Sequence, residues 1–266
     1  MPAARFIRYV EGNSPVHRLD PRAKLTFIFF LILSLTLASS LIQVLPLLIV
    51  SLLFYFSARL PWEKTRGTWA FILAALIVLS AMNYLTVAAL YGGEGESLAS
   101  RLTSPETVLR AVIPVIKLLS LAAATATLVF TTPPNMYAPA LGQMGLSYGK
   151  AYVIQLALRY VPEFVAELRK TLEAQMARGF RPRGGKNPIS RLLAIVPLVV
   201  PVTVSAALSI YDIADAMELR GFGGEECHTW YRKLRMSKLD KALVAGSVAL
   251  GATYVALQVL ETLNLI

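Results

Sequence analysis

The chain has 266 residues, of which 56% are hydrophobic and 16% charged, and its net charge is +10. A soluble domain of this size carries about 25% charged residues, so the composition excludes an ordinary cytosolic enzyme. One cysteine and two histidines exclude an intramolecular disulfide and a metal centre rich in either residue. A basic chain can bind nucleic acid. Here, however, long apolar stretches separate the basic residues, which predicts a membrane protein with basic cytoplasmic loops.

The first apolar stretch lies between Lys24 and Arg59, which bracket 34 uncharged residues. A single helix of that length would measure about 50 Å, whereas the hydrocarbon core of a bilayer is about 30 Å thick. Two serines near the middle predict a break. Because both flanks are basic, we expect a hairpin of two short helices, at 25–39 and 42–57, with both outer ends in the cytoplasm.

Three further spans are predicted, at 69–90, 107–129 and 242–260. The loop that follows the first of these, at 91–101, is acidic on balance and is expected to face outside. The span at 107–129 contains Lys117. A charge in lipid is costly, so we expect Lys117 to face protein or to reach a membrane boundary.

The segment between the fourth and last spans is the charged part of the chain and is expected to be cytoplasmic. Within it, residues 189–210 are as apolar as a membrane span. Basic residues stand on both sides of this stretch, so a single crossing would break the positive-inside rule. We therefore expect a long helix at the inner face of the membrane that packs on spans or partner subunits, with a true crossing as the alternative. The prediction is five spans, with the N-terminus inside and the C-terminus outside.

A short repeat is the most informative local feature. Residues 173–180 and 215–222 share the pattern acidic-Ala-x-x-x-Arg-Gly-Phe, 42 residues apart, and each follows a helical stretch, at 152–177 and about 195–219. Helix capping is one interpretation, because glycine after a helix end and a cation in the last turn are common there. Capping does not require the alanine or the phenylalanine. A duplicated docking element, in which an arginine at a helix tip binds a carboxylate or backbone carbonyls of a partner, explains the repeat better.

Three other motifs accompany the repeat: Ser14-Pro-Val-His-Arg-Leu-Asp-Pro-Arg-Ala-Lys-Leu25, Thr131-Thr132-Pro133 and Leu158-Arg-Tyr-Val-Pro162. With these motifs the chain resembles, over nearly its whole length, the EcfT/CbiQ family, the transmembrane scaffold of energy-coupling factor (ECF) transporters. The second copy of the repeat departs from the family pattern, because it has leucine before the arginine instead of alanine. The N-terminal motif is open to two interpretations, as a basic anchor before the first helix or as a contact site.

The resemblance implies an all-α polytopic membrane protein of about five transmembrane helices, with a cytoplasmic helical coupling domain inserted before the last span. Residues 1–130 would hold the N-terminal segment and the first four membrane helices, 131–238 the coupling domain with its two coupling helices, and 239–266 the last membrane helix. It also implies a prokaryotic inner-membrane location, with the N-terminus and the coupling domain in the cytoplasm.

The resemblance further implies that two cytoplasmic ABC ATPases dock on the coupling helices and that a small membrane S-component captures a vitamin or a metal ion such as cobalt or nickel. Carried over by position, the ATPase-coupling residues are Ala177, Arg178, Gly179, Leu219, Arg220 and Gly221. ATP and Mg²⁺ would be bound by the partners, and no cofactor or catalytic residue is expected here. The nearest approach to a phosphate-binding loop, at Gly149-Lys150, has Met144 at the first glycine position and Ala151 after the lysine.

Two alternatives belong to other classes. A stand-alone channel or secondary transporter would need polar or ionisable residues that form a path through the spans, and Asn83 and Lys117 are few for such a path. An intramembrane enzyme could use Asp212 and Asp215 to bind a magnesium diphosphate, but that chemistry needs a second aspartate-rich motif facing the first. Two aspartates one turn apart on a helix surface are the simpler interpretation.

Overall fold

The computed structural model describes residues 9–90, 105–180, 196–223 and 233–263. Within these ranges the regular structure is helical throughout. The helices are α1 (Pro15–Arg18), α2 (Pro21–Leu37), α3 (Leu41–Ser57), α4 (Trp62–Leu90), α5 (Pro105–Thr131), α6 (Tyr137–Gln143), α7 (Tyr148–Ala177), α8 (Val196–Leu219) and α9 (Lys238–Thr262), and a 3₁₀ turn (Pro134–Met136) precedes α6. The chain divides into two compact units, Met1–Met136 with Leu234–Ile266, and Tyr137–Lys233. We call them the membrane unit and the coupling unit, after the domains that the sequence resemblance led us to expect.

The predicted helical hairpin is confirmed as α2 and α3. The Asp20 carboxylate begins α2 by accepting a hydrogen bond from the Arg22 backbone N–H over 2.9 Å, as expected of an N-terminal cap. At the break between the helices, the Gln43 side chain accepts a hydrogen bond from the Ser39 backbone N–H over 2.7 Å. Pro46, which also falls near the middle of the apolar stretch, lies inside α3 and does not mark the break.

Four helices in the described part of the chain are long and apolar enough to cross a membrane by length and composition: Trp62–Thr86, Ala111–Thr131, Val196–Leu219 and Lys238–Thr262. The helix α3, at 17 residues, is apolar but shorter. The chain is therefore an all-α polytopic membrane protein, as predicted. The acidic loop predicted at 91–101 lies outside the described residues.

The membrane unit is held together by helix pairs that are distant in sequence. The helix α2 packs against α9, and α3 packs against α5. Val44 and Leu47 of α3 are fully buried, and the rings of Phe27 and Phe54 lie 4.8 Å apart between centroids. Asn83 of α4 donates a hydrogen bond to the Ala111 carbonyl of α5 over 3.1 Å. A polar side chain that satisfies a neighbouring helix in this way contributes to packing between membrane helices.

The apolar stretch predicted at 189–210 coincides in part with α8, which begins at Val196 and continues to Leu219. Residues 189–195 lie outside the described residues. Most side chains of α8 are exposed within this chain, several are half-buried, and Val202, at 1% exposure, is its one buried residue. An apolar helix that the chain does not cover by itself requires lipid or partner subunits around it. The exposure of α8 therefore agrees with both interpretations of residues 189–210, a helix at the inner face of the membrane and a true crossing.

Candidate partner-docking site: the two Arg-Gly helix ends

The first copy of the repeat closes α7. The residue after Arg178 is Gly179, with φ of +87°, a backbone conformation that favours glycine. The Gly179 N–H donates to the Met176 carbonyl over 3.0 Å, and the Phe180 N–H donates to the Gln175 carbonyl over 2.9 Å. These two bonds define a Schellman motif, which satisfies carbonyls that would otherwise lack partners at the helix end.

The second copy closes α8 with the same geometry. Gly221 has φ of +73°. Its N–H donates to the Glu218 carbonyl over 2.8 Å, and the Phe222 N–H donates to the Met217 carbonyl over 3.0 Å. The repeat in the sequence is therefore a repeat in structure, and capping accounts for the glycine in both copies.

Capping does not account for the arginines. Arg178 and Arg220 are both exposed. Among the described residues, neither guanidinium takes part in a hydrogen bond or an ion pair, including with the helix carbonyls beside it. The residue before each arginine is also exposed, and Leu219 reaches 88%. Each helix tip thus presents a full set of guanidinium donors next to a small or apolar side chain.

The two tips stand at opposite ends of a helix pair. Tyr152, in the second turn of α7, packs against Phe222 beyond the end of α8, with ring centroids 4.7 Å apart. Further along α7, Glu167 accepts a hydrogen bond from Ser205 in the middle of α8 over 3.4 Å. Because the contacts run in opposite order along the two helices, the pair is antiparallel. From the level of Tyr152 to Arg178 the α7 axis rises about 40 Å, at about 1.5 Å per residue.

A groove of about 500 Å³ lies between α7 and α8 on the side of the second tip. Aromatic side chains dominate it, with Tyr148 and Tyr152 stacked in parallel at 6.1 Å and both close to Phe222. Arg159, Asp212 and Arg220 also line it. The aromatic contacts join the end of α8 to the start of α7 and so hold the second Arg-Gly end against the helix pair.

The alternative site at Asp212 and Asp215 gains no support from this geometry. Both aspartates are exposed on α8, and Asp212 lies in the groove with Arg159 and Arg220. In the part of the chain that the structure describes, no group of three or more histidine, cysteine, aspartate or glutamate side chains is placed to hold a metal ion.

Sequence reasoning missed the role of Lys24, the last charged residue before the first apolar stretch. Lys24 is 1% exposed. Its Nζ donates to the Thr131 carbonyl over 3.2 Å, to Thr131 Oγ1 over 3.1 Å and to Thr132 Oγ1 over 3.2 Å. The motifs at 14–25 and 131–133 are thus in direct contact. The only signal in the sequence was a single lysine at the start of an apolar helix, and it does not identify partners more than 100 residues away.

Comparison with known proteins agrees with these features. The model of the CbiQ family, described as cobalt transport protein, matches residues 12–230. The chain belongs to the CbiQ family. The match includes the Lys24 cluster at Thr131 and both Arg-Gly ends, so the resemblance seen in the sequence motifs is confirmed at the level of the family.

Three relatives of this CbiQ-family chain are named energy-coupling factor transporter transmembrane protein EcfT. The protein of Thermotoga maritima is 29% identical over 255 residues, which cover 92% of this chain and 90% of that protein. The protein of Bacillus selenitireducens is 31% identical over 268 residues, with 94% and 95% coverage. The protein of Heliobacterium modesticaldum is 32% identical over 253 residues, with 89% and 90% coverage. The similarity therefore extends over whole chains.

Proposed function

We propose that this CbiQ-family chain is the transmembrane component of an ECF transporter, a role taken from the names of its EcfT relatives. In this proposal it couples ATP hydrolysis in two cytoplasmic ABC ATPases to a membrane S-component that captures a vitamin or a metal ion such as cobalt or nickel. The observation that carries the proposal is the pair of Arg-Gly helix ends, which share one geometry and each expose an arginine without a partner among the described residues.

The chemistry of the tips suits docking on a protein. A guanidinium forms two parallel, charge-assisted hydrogen bonds with a carboxylate, which gives both strength and orientation. The small side chain of Ala177 allows a partner to approach the first tip closely. Leu219, which is 88% exposed in this chain, would add an apolar contact at the second tip.

The separation of the tips supports two docking partners instead of one. Arg178 and Arg220 lie at opposite ends of the antiparallel pair of α7 and α8, about 40 Å apart along the helix axis. Two similar ATPase subunits, each with one groove for an arginine, match two similar tips at this spacing. Relative motion of the two ATPases would then turn the helix pair as a unit.

The chain itself is proposed to carry no enzymatic step and no cofactor. ATP and Mg²⁺ would be bound by the ATPases. The proposed location is the prokaryotic inner membrane, with the N-terminus and the coupling unit in the cytoplasm. The reason is that basic residues are concentrated in these two parts of the chain, and basic segments of membrane proteins remain in the cytoplasm.

Affinity purification tests this function. The tagged chain is extracted from its native membrane in mild detergent, and mass spectrometry identifies what comes with it. We expect two ABC ATPases, or one in double amount, together with a small hydrophobic protein. The double variant Arg178→Ala/Arg220→Ala should lose the ATPases and keep the small protein, because truncating one side of a buried charged contact costs about 2–5 kcal/mol.

Arg169→Ala is the matched control. Arg169 is an exposed arginine on α7, more than two turns before the tip, so its removal lowers the net charge by one, as each single arginine variant does, without touching either helix end. It should retain the ATPases. Retention of the ATPases by the double variant at the wild-type level would contradict docking through the arginines. A chain that purifies alone and still moves a solute would favour a self-contained transporter.

A further inference from the structure

The proposed function leaves one motif unused, the first turn of α2 with Asp20, Arg22 and Lys24. The chain leaves the membrane unit after Met136 and returns to it at Leu234. Lys24 binds the segment just before the exit, through its three hydrogen bonds to Thr131 and Thr132.

Arg22 binds the segment through which the chain returns to the membrane unit. Its Nη2 donates to the Leu234 carbonyl over 2.7 Å. The same guanidinium is held by the Asp20 carboxylate, with Nε 3.3 Å from Oδ1 and Nη2 3.2 Å from Oδ2. An arginine fixed by two bonds to a carboxylate has little rotational freedom left. The position of the Leu234 carbonyl is therefore set by the first turn of α2.

Asp240 joins the same cluster from the start of α9. One of its carboxylate oxygens accepts from the Asp20 backbone N–H over 2.8 Å, and the other accepts from the Ser237 backbone N–H over 2.7 Å. Asp240 is 1% exposed. The returning chain is thus tied to α2 at Leu234 and again six residues later, where α9 begins.

Burial of these charged side chains costs desolvation free energy. Asp20, Lys24 and Asp240 are each at most 6% exposed. The carboxylates of Asp240 and Asp20 attract the Lys24 ammonium and favour its charged form. Replacing a whole buried ion cluster by apolar packing is often neutral or stabilising, whereas removing one member is strongly destabilising, because it leaves a buried charge without compensation. A cluster of this kind suits a part of the molecule whose position must not vary.

We propose that Asp20, Arg22 and Lys24 form a clamp that fixes both connections between the membrane unit and the coupling unit. Exit and return are then held by one helical turn, so that motion imposed on the Arg-Gly tips reaches the membrane helices instead of being lost by bending at the connections. This last step rests on the proposed function, whereas the clamp itself does not.

Hydrogen–deuterium exchange of the full chain in lipid nanodiscs tests the clamp without any partner. Lys24→Met removes the ammonium at similar length, and Arg22→Met removes the guanidinium. Because charged hydrogen bonds are lost, amides at 130–136 and 233–240 should exchange about 10- to 100-fold faster. Each variant should accelerate both segments, since one turn holds them together. A merely local structural role would accelerate only the segment that the substituted residue contacts, and that result would overturn the clamp.

Milder variants at Thr132, directly after α5, keep the test valid if the lysine variant fails to fold. Thr132→Val removes one hydroxyl of the cluster, and Thr132→Ser retains it. The first should accelerate both segments, and the second should restore protection. The matched control is Thr127→Val, because Thr127 is equally buried and its hydroxyl donates to the Ala123 carbonyl within α5, over 2.8 Å, and not to the Lys24 cluster. The Thr127 backbone carbonyl, which accepts from Thr131 Oγ1 over 2.7 Å, is unchanged in this variant. Equal exchange in the valine variants at 127 and 132 would contradict the clamp.

The role in transmission is tested in the purified complex with MgATP as the probe. The clamp variants should retain the ATPases as the wild type does. The change in amide exchange that MgATP causes at α2 and α9 should be about two- to thirtyfold smaller in these variants than in the wild type. A wild-type response in Lys24→Met would overturn the role in transmission. Loss of the ATPases from the wild-type chain would instead contradict the proposed function and leave the exchange result on the chain alone intact.

Discussion

Phe30 of α2 lies directly against Gly251 of α9. A Cβ atom at position 251 would come within 2.5 Å of Phe30 Cδ1, a distance that atoms in proteins do not tolerate. The absence of a side chain at Gly251 therefore allows the two helices to approach closely, as small residues do at many contacts between membrane helices. The same pair of helices meets at the Asp20–Asp240 hydrogen bond, so close packing in the middle and polar bonds at the start act on one interface.

Gly251→Val should destabilise the membrane unit. The added methyl groups force Phe30 or the α9 backbone to move, and overpacking of this kind costs about 1–3 kcal/mol. We expect a lower Tm of the detergent-solubilised chain, measured by circular dichroism. Gly246→Ala on the same helix is the control, because its Cβ would meet no atom within 4 Å, and alanine favours a helix over glycine by about 1 kcal/mol. Equal shifts in the two variants would contradict the close contact.

Gly179→Ala and Gly221→Ala should destabilise the helix ends without blocking access to the arginines. Both glycines have positive φ, and a Cβ would enter open space at either position. The cost is therefore backbone strain alone, about 1–2 kcal/mol per site. Faster amide exchange at residues 178–180 or 220–222 measures this strain.

Gly149→Ala on α7 is the control for the glycine variants, because it also has open space around its Cβ but no positive φ. Unchanged exchange at the two helix ends would show that the Schellman geometry contributes nothing to their stability. A complete loss of ATPases from either variant would show that the glycines act in docking as well.

Arg178→Lys and Arg220→Lys should restore ATPase docking only in part. Lysine keeps the charge but lacks the planar fork that binds a carboxylate through two bonds. The measurement is the amount of ATPase retained on the tagged chain as salt is raised, compared with the alanine variants and the wild type. Salt screens a simple point-charge attraction. Full retention by the lysine variants at every salt concentration would indicate that charge alone suffices.

Residues on both sides of α8 should lie in the cytoplasm. Cysteines are introduced singly at Lys186 and Arg235 in a Cys227→Ser background, and intact cells are treated with a membrane-impermeant maleimide. Because basic residues flank α8 on both sides, we expect labelling only after the membrane is permeabilised. Labelling of one position from outside would make α8 a crossing and raise the number of spans to six.

The helix ends were predictable because their signals are local. The helix of the second repeat copy was expected at about 195–219 and is found at Val196–Leu219. The helix of the first copy was expected to end at 177 and does so. An Arg-Gly-Phe sequence specifies its cap within one turn, through bonds that span five residues. The start of α4 at Trp62 was harder to predict from the sequence, because the first turns of this helix are charged and precede the apolar span predicted from residue 69.

The Lys24 cluster was not predictable in the same way. The hydrogen bond from Lys24 to Thr132 joins residues 108 positions apart, and that from Asp20 to Asp240 joins residues 220 positions apart. Each side chain taken alone fits a helix cap or a basic flank. Only the packing of α2 against α5 and α9 converts them into one cluster.

By itself, the sequence determined that this is a membrane protein of long apolar helices with two capped, arginine-bearing helix ends, because composition, hydropathy and capping act over a few turns of helix. The tertiary structure decided that the two arginines stand at opposite ends of an antiparallel pair, without a partner among the residues that the structure describes. It also decided that Lys24 and Arg22, in the first turn of α2, bind Thr131, Thr132 and Leu234. These features depend on contacts between distant segments, whose pairing emerges only when the helices pack.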